Sequence, residues 1–166
     1  MRADTDSAFG RVSGPSYFPY QTPFGHVTIQ VEDGAVTRLA FGDRPLEGQR
    51  RPTALSNHAA NELQEYFAGK RRAFDIPLRL SGTPFQREVW EALQRIPYGQ
   101  TRSYGEVAAA IGHAGASRAV GQANNRNPVP IFVPCHRVIA ADGSISGYAF
   151  GPKVKQFLLD LEASHL

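Results

Sequence analysis

The chain has 166 residues, 42% of them hydrophobic and 20% charged, a composition that fits a globular protein of one medium domain or two small ones. Net charge is only +3, and the single cysteine excludes an intrachain disulfide and a multi-cysteine zinc site. The five histidines lack metal-ligand spacing, no run reaches the roughly 20 apolar residues of a membrane span, and MRADTDSAFG has no signal-peptide core. The expectations are therefore no metal, no cofactor, no membrane, and a cytoplasmic location (bacterial or archaeal cytosol, or the nucleus in a eukaryote).

Residues 1 to about 18 are polar and read as loose. VTIQVEDGAVTRLAF alternates apolar and polar positions around Asp33-Gly34, which predicts a β-hairpin. RPLEGQRRPT reads as a polar loop. Ser56 is the expected cap of a helix to about Ala68, with Ala59, Leu63, Tyr66 and Phe67 on one face and Gly69 after it. FDIPLRL is a short extended piece.

SGTPF marks a boundary, giving domains 1–82 and 83–166. Thr83 is a helix cap, Pro84 suits the first helical position, and Gln86 completes a capping box. Phe85, Val89, Trp90 and Leu93 follow at helical spacing, and the helix must stop before Pro97. In SYGEVAAAIG, Ser103 caps and Glu106 stands three residues on. Tyr104, Val107, Ala108 and Ile111 form a stripe, and Gly112 ends it. HAGA leads into SRAVGQANN, a second short helix with Arg118 near its start. This is the outline of a helix-turn-helix, shared with many helix pairs that never meet DNA. Ala119, Gly121 and Ala123 make the second helix small, for close packing on a neighbour or close approach to a sugar–phosphate wall. Over residues 95–155, seven basic side chains face two acidic ones, a local excess of five positive charges that attracts polyanions or simply solvates a surface. NPVPIFVP holds three prolines and is expected to be extended and stiff, delivering Cys135 at its end. Asp142-Gly143 is a turn. Pro152 opens a last helix, with Val154, Phe157, Leu158 and Leu161 expected on its buried face and Glu162 near its end.

Cys135 lies between Pro134 and His136-Arg137. A free thiol titrates near 8.5, and a neighbouring cation or histidine raises its thiolate fraction; His136 and Arg137 are the candidates. Successive strand residues point to opposite faces, so His136 reaches the thiol directly only if the chain turns there, and otherwise through a water. A nucleophile–base pair also needs a group to orient the base, and Glu162 is available. The competing reading is a small buried hydrophobe.

PCHRV at 134–138 resembles the active-site signature of the O6-alkylguanine-DNA alkyltransferases, the methylated-DNA–protein-cysteine methyltransferases. SYGEVA, SRAVGQANNRNPVPI and the GY…KxxLLxLE ending at Glu162 resemble the family in order and spacing, strongly from Thr83 onward and weakly over the first 80 residues. The resemblance implies an α/β (α+β) fold: an N-terminal ribonuclease-H-like α/β domain followed by a helical winged helix-turn-helix domain. It implies direct-reversal repair of double-stranded DNA bearing O6-alkylguanine, with O4-alkylthymine as a second candidate. The alkyl group passes irreversibly to Cys135 from a flipped-out base. The family implies one reaction per molecule, a monomer in solution, and contact in the minor groove, with cooperative loading on DNA left open.

Carried onto matching positions, Cys135 is the nucleophile, His136 its base through a water, and Glu162 the orienting carboxylate. Tyr104 donates to the departing guanine. Arg118 fills the vacated stack, and Ser103, Tyr104, Ala119 and Gly121 belong to the DNA-binding surface. Asn127 holds the turn between the recognition helix and the active-site strand. Backbone groups of Val138 and Ala149, with Phe150, line the base pocket, and Arg137 is structural. Phe150 stands where the family usually has glycine, which bears on pocket size. The N-terminus lacks the cysteines of zinc-carrying members, and the extra DNA-binding domain of the bacterial adaptive-response regulator is missing. The alternative is a non-catalytic alkyltransferase-like lesion binder, but such proteins replace the cysteine that this chain keeps at position 135.

Overall fold

The computed structural model describes residues 14–145 and 147–166, and its chain divides into two compact units, Met1–Leu80 and Ser81–Leu166. The expectation of a loose segment over residues 1–13 lies outside the described residues. Its last part is corrected: Ser16–Thr22 is a strand, β1, followed by β2 (Gly25–Glu32), β3 (Ala35–Phe41) and the two-residue β4 (Gln49–Arg50), in sheet order β3-β2-β1-β4. β1 escapes a pattern reading because Pro19 sits inside it. Beyond Tyr17, however, β4 no longer pairs with β1, and a strand tolerates proline on such an open edge. The polar loop RPLEGQRRPT is corrected too, since Gln49 and Arg50 pair in parallel with Ser16 and Tyr17.

The hairpin forms where alternation places it. Glu32 pairs with Ala35 across Asp33 (φ 51°) and Gly34 (φ 78°), the two positive-φ positions of a type I′ turn. Val27, Ile29 and Val31 fill one face of β2. Tyr20, paired with Val27, bonds Ser56 and Asn57 at 2.7 Å, so the helix α1 (Ala54–Phe67) covers that same face, burying Leu55, Ala59, Leu63 and Tyr66. The cap of α1 is Thr53, not Ser56. Ser56 is the third helical residue and answers Thr53 reciprocally in a capping box, so each hydroxyl by itself looks like the cap. On the other face, buried Thr28 and Gln30 are satisfied by Gly42, Arg44 and Glu47. The FDIPLRL segment is extended and bonds the outer edge of β3 through Pro77 and Arg79.

In the second unit, Thr83 and Gln86 cap α2 (Pro84–Gln94) reciprocally, and Ser103 and Glu106 do the same for α3 (Tyr104–Ala110). Gly112 (φ 80°) and Gly115 (φ 88°) turn the chain into α4 (Ser117–Asn125). The Trp90 indole of α2 donates to the Ala123 carbonyl of α4 at 2.9 Å. A Cβ on Gly121 would stand 3.8 Å from the Tyr104 ring, an ordinary contact; of the small residues of α4, Gly121 thus faces α3, Ala123 is buried and Ala119 is exposed. β5 (Arg102–Ser103) and β6 (Val138–Ile139) form a short parallel ribbon.

α5 (Pro152–Ala163) begins at the expected proline, but its buried face is corrected. Lys155, Leu158 and Glu162 are buried, while Val154 and Leu161 are half-buried and Phe157 is 37% exposed. The helix is rotated so that two of its four charged side chains, Lys155 and Glu162, enter the active-site side.

Candidate active site

The segment before the cysteine is not extended. Pro130 and Val133 bridge each other, Val133 N–H donates to the Val129 carbonyl at 3.0 Å, and Ile131 takes φ 76°. Asn127 holds this turn from inside: its amide donates to the Val133 carbonyl at 2.8 Å and accepts from Val129 N–H at 3.0 Å. The prolines are compatible with the turn, because the bonds that close it come from valines and from a side chain.

Cys135, His136 and Arg137 then form one turn of 3₁₀-helix. With three residues per turn, their side chains leave in three directions. The chain does turn at the cysteine, which opens a route to His136 that a strand would close. The Val138 N–H returns to the Cys135 carbonyl, and Asn124 of α4 donates to the same carbonyl at 3.3 Å. Cys135 is 2% exposed and His136 is fully buried.

Behind the turn lies Glu162. Its Oε2 meets His136 Nε2 at 2.7 Å, and Arg137 grips both oxygens, with Nε to Oε1 and Nη2 to Oε2 each at 2.9 Å. Gly99 N–H donates to Oε1 at 3.0 Å, and Arg137 also donates to the Ile96 carbonyl at 2.7 Å. Burial alone would raise Glu162, but hydrogen bonds and charge from His136 and Arg137 hold it well below the usual carboxylate range. Burial pushes His136 down against the pull of Glu162, so the ring is neutral at pH 7. An ionised carboxylate only accepts, so Nε2 carries the proton and Nδ1 is the basic nitrogen.

The thiol itself is pushed up to about 11 by burial, opposed by a hydrogen bond from Asn127, the charge of Lys155, and Tyr148. The resting nucleophile is thus a protonated thiol, and the expected cationic help from Arg137 is corrected: that guanidinium is engaged by Glu162, and the cation acting on the sulfur is Lys155. Tyr104, the first residue of α3, is half-buried, and burial followed by the negative potential of Cys135 raises its phenol. Gly147 (φ 71°) lies against its hydroxyl, where a Cβ would stand at 3.1 Å.

Val138 is buried beside the cysteine turn and Ala149 is exposed. The Phe150 ring packs edge-on against Tyr148, 5.4 Å between centroids, so it stands one ring removed from the thiol. Arg118 and Ala119 are exposed on the first turn of α4, and Ser103 is half-buried as the cap of α3. Of the expected residues, Asn127 bonds the sulfur and Tyr104 lies within its field, while His136 follows it in the turn and is held by Glu162. Three more were not readable in the sequence: Tyr148, Lys155 and Asn124. Lysine on an amphipathic helix reads as surface, and an asparagine in ANNRN gives no sign of which amide turns inward.

Two family models match the chain: the ribonuclease-like domain of 6-O-methylguanine DNA methyltransferase over residues 16–80 and the DNA-binding domain of the same enzyme over residues 84–164. The chain belongs to the 6-O-methylguanine DNA methyltransferase family. It is 47% identical over 156 residues to the constitutive methylated-DNA–protein-cysteine methyltransferase of Bacillus subtilis, covering 88% of this chain and 94% of that one. It is 58% identical over 153 residues to the methylated-DNA–protein-cysteine methyltransferase of Methanosarcina acetivorans, covering 89% and 98%. Among solved structures, Mycobacterium tuberculosis OGT in complex with DNA superposes with a TM-score of 0.85 at 44% identity, covering 90% of this chain and 94% of that one.

Proposed function

We propose that this protein repairs DNA by direct reversal, taking the alkyl group of O6-alkylguanine onto Cys135 in a single, irreversible reaction. The observation that carries this reading is the buried line of thiol turn, neutral His136 and ionised Glu162 in a unit that matches a DNA-binding domain. The thiol proton passes through a water to His136 Nδ1, and Glu162 stabilises the imidazolium that forms. The sulfur attacks the alkyl carbon, forming the S–C bond as the C–O bond breaks. The electron pair leaves on the guanine, where the Tyr104 hydroxyl offsets the developing charge. The imidazolium then returns the proton to the base, so the products are guanine and S-alkylcysteine. Asn127 fixes the turn and bonds the sulfur.

The target base is flipped out of a duplex approached from the minor groove, with exposed Arg118 filling the gap from the head of α4. Ser103, Ala119 and Gly121 line the docking surface, and backbone groups of Val138 and Ala149 line the base pocket beside Phe150. Residues 1–82 form the first domain and 83–166 the repairing one, acting as a monomer. The test is intact mass after incubation with a duplex carrying O6-methylguanine. The wild type gains one methyl group, and Cys135→Ala gains none but still binds the duplex. A wild type that binds and gains nothing is a lesion binder, and the proposal then fails.

A further inference from the structure

Two asparagines meet the cysteine, and their amides are used differently. Asn127 uses both ends within the protein, with Nδ2 on the Val133 carbonyl and Oδ1 on the Val129 N–H. Asn124, in the last turn of α4, is 1% exposed and uses one end only. Its Nδ2 donates to the Cys135 carbonyl at 3.3 Å, while its Oδ1 has no hydrogen-bond partner among the described residues. The opposite orientation of the amide would set oxygen against oxygen, so the Cys135 carbonyl fixes which atom is left over. The backbone is pinned as well: Trp90 donates to the Ala123 carbonyl at 2.9 Å, and the Asn127 N–H reaches the Asn124 carbonyl at 3.4 Å. For stability alone this is a poor arrangement. The Cys135 carbonyl already accepts the Val138 N–H, so it does not need the Asn124 donor. A buried acceptor without a partner is costly, and an apolar side chain of the same shape would remove that cost.

Resting on the function proposed above, we infer that Asn124 is a specificity-determining residue of the base pocket, whose Oδ1 accepts a hydrogen bond from the 2-amine of the flipped guanine. A flipped base is read along its base-pairing edge, and the reacting oxygen of O6-alkylguanine lies on that edge. Alkylation at O6 removes the proton from N1. The exocyclic amine, on the far side of N1, is then the one donor the edge still offers. O4-alkylthymine presents only acceptors there. With its Nδ2 on the carbonyl of Cys135, Asn124 ties recognition of the amine to the residue that attacks. A guanine completes the buried acceptor, and a base without the amine leaves it unpaired. Discrimination of this kind comes from the penalty on the unpaired group more than from the strength of the bond itself.

Duplexes carrying O6-methylguanine or O6-methylhypoxanthine differ only in that amine. Single-turnover methyl transfer from each is measured for wild type, Asn124→Leu and Asn124→Ala. The wild type should favour methylguanine by about fivefold to a hundredfold, and both variants should reduce that preference by about fivefold or more. Their rates on O6-methylhypoxanthine and on O4-methylthymine should stay level or rise, since no unpaired acceptor remains. The preference is a ratio within one variant, so a fold defect that slows both substrates leaves it unchanged. The urea midpoint of Asn124→Leu should also stay level or rise; a merely structural asparagine would lower it and leave the ratio in place. If both variants keep the wild-type ratio, the inference is overturned even though the protein repairs DNA. Equilibrium binding of the same duplexes to Cys135→Ala, with and without Asn124→Leu, separates the two claims. If the wild type takes no methyl group but Cys135→Ala binds the methylguanine duplex more tightly and Asn124→Leu removes that preference, recognition of the amine stands and the proposed function fails. If neither transfer nor binding distinguishes the duplexes, the inference fails.

Discussion

Glu162→Gln tests the centre of the site most directly. The carboxylate receives hydrogen bonds from His136, from Gly99 and from both Nε and Nη2 of Arg137, and it is 1% exposed. The amide keeps the shape but removes the charge, leaving a guanidinium that is 7% exposed without its counter-ion. Breaking a buried pair from one side costs about 3–5 kcal/mol, and the bonds that glutamine can still make put the expected loss near the lower end. Trp90 is the only tryptophan and is 1% exposed within the second unit, so its fluorescence during urea unfolding reads that unit alone. With slopes of about 1–3 kcal/mol per molar urea, the midpoint should drop by about 1–3 M. Adding Arg137→Met to the variant removes the stranded charge and should recover at least about 1 kcal/mol. A Glu162→Gln midpoint within about 0.3 M of the wild type, on the same scale of slopes, would refute the view that this carboxylate balances the buried guanidinium.

The same cluster sets an acid limit. His136 is held below its ordinary 6.5 and so stays neutral in the fold; the unfolded chain binds the extra proton, and stability should fall as pH drops below about 6.5. Glu162, held below its ordinary 4.5, adds a second loss as pH falls through 4.5, so the stability gap between wild type and Glu162→Gln should narrow there; a gap that is flat with pH in urea titrations sinks this. Arg118→Ala should slow repair in duplex DNA by about tenfold or more while leaving reaction with free O6-benzylguanine base nearly unchanged, because only the duplex requires a base to be flipped at a cost of a few kcal/mol; equal losses on both substrates would count against it. Phe150 packs on Tyr148 beside the thiol, so bulky adducts should react slowly relative to methyl, and Phe150→Gly should raise the benzyl-to-methyl rate ratio by about tenfold to a hundredfold, the equivalent of the 1–3 kcal/mol of overpacking. An unchanged ratio means the ring does not gate the pocket.

What could be read from the sequence was what is settled within a few residues. The capping boxes at Thr83–Gln86 and Ser103–Glu106 and the Asp33-Gly34 turn satisfy their own hydrogen bonds locally, so their residue types announce them. β1 and β4 could not be read in this way, because their pairing is with distant strands and Pro19 interrupts the pattern. The turn over 129–133 was hidden because it is closed by an asparagine side chain six residues from its acceptor and requires Ile131 in a conformation that isoleucine rarely adopts. The site divides in the same way. Cys135, His136 and Glu162 stand out by residue type, and the family resemblance gives them their roles. Lys155 and Tyr148 emerge only when α5 and the 147–150 segment are folded against the cysteine, since nothing in a helical lysine or a loop tyrosine shows that it faces inward.

The depth of Cys135 also bears on how long the protein lasts before it meets a lesion. A reagent that is used once must keep its reactive atom intact through a long wait among peroxides and small thiols. Oxidation and exchange proceed through exposed thiolate. A sulfur that is 2% exposed, with a titration midpoint near 11, offers little of either. The packing that makes the resting thiol a poor nucleophile therefore acts as a preservative. In the mechanism proposed above the thiol gives up its proton only in the transfer itself, which would tie the shelf life of the protein and the selectivity of its chemistry to the same buried turn.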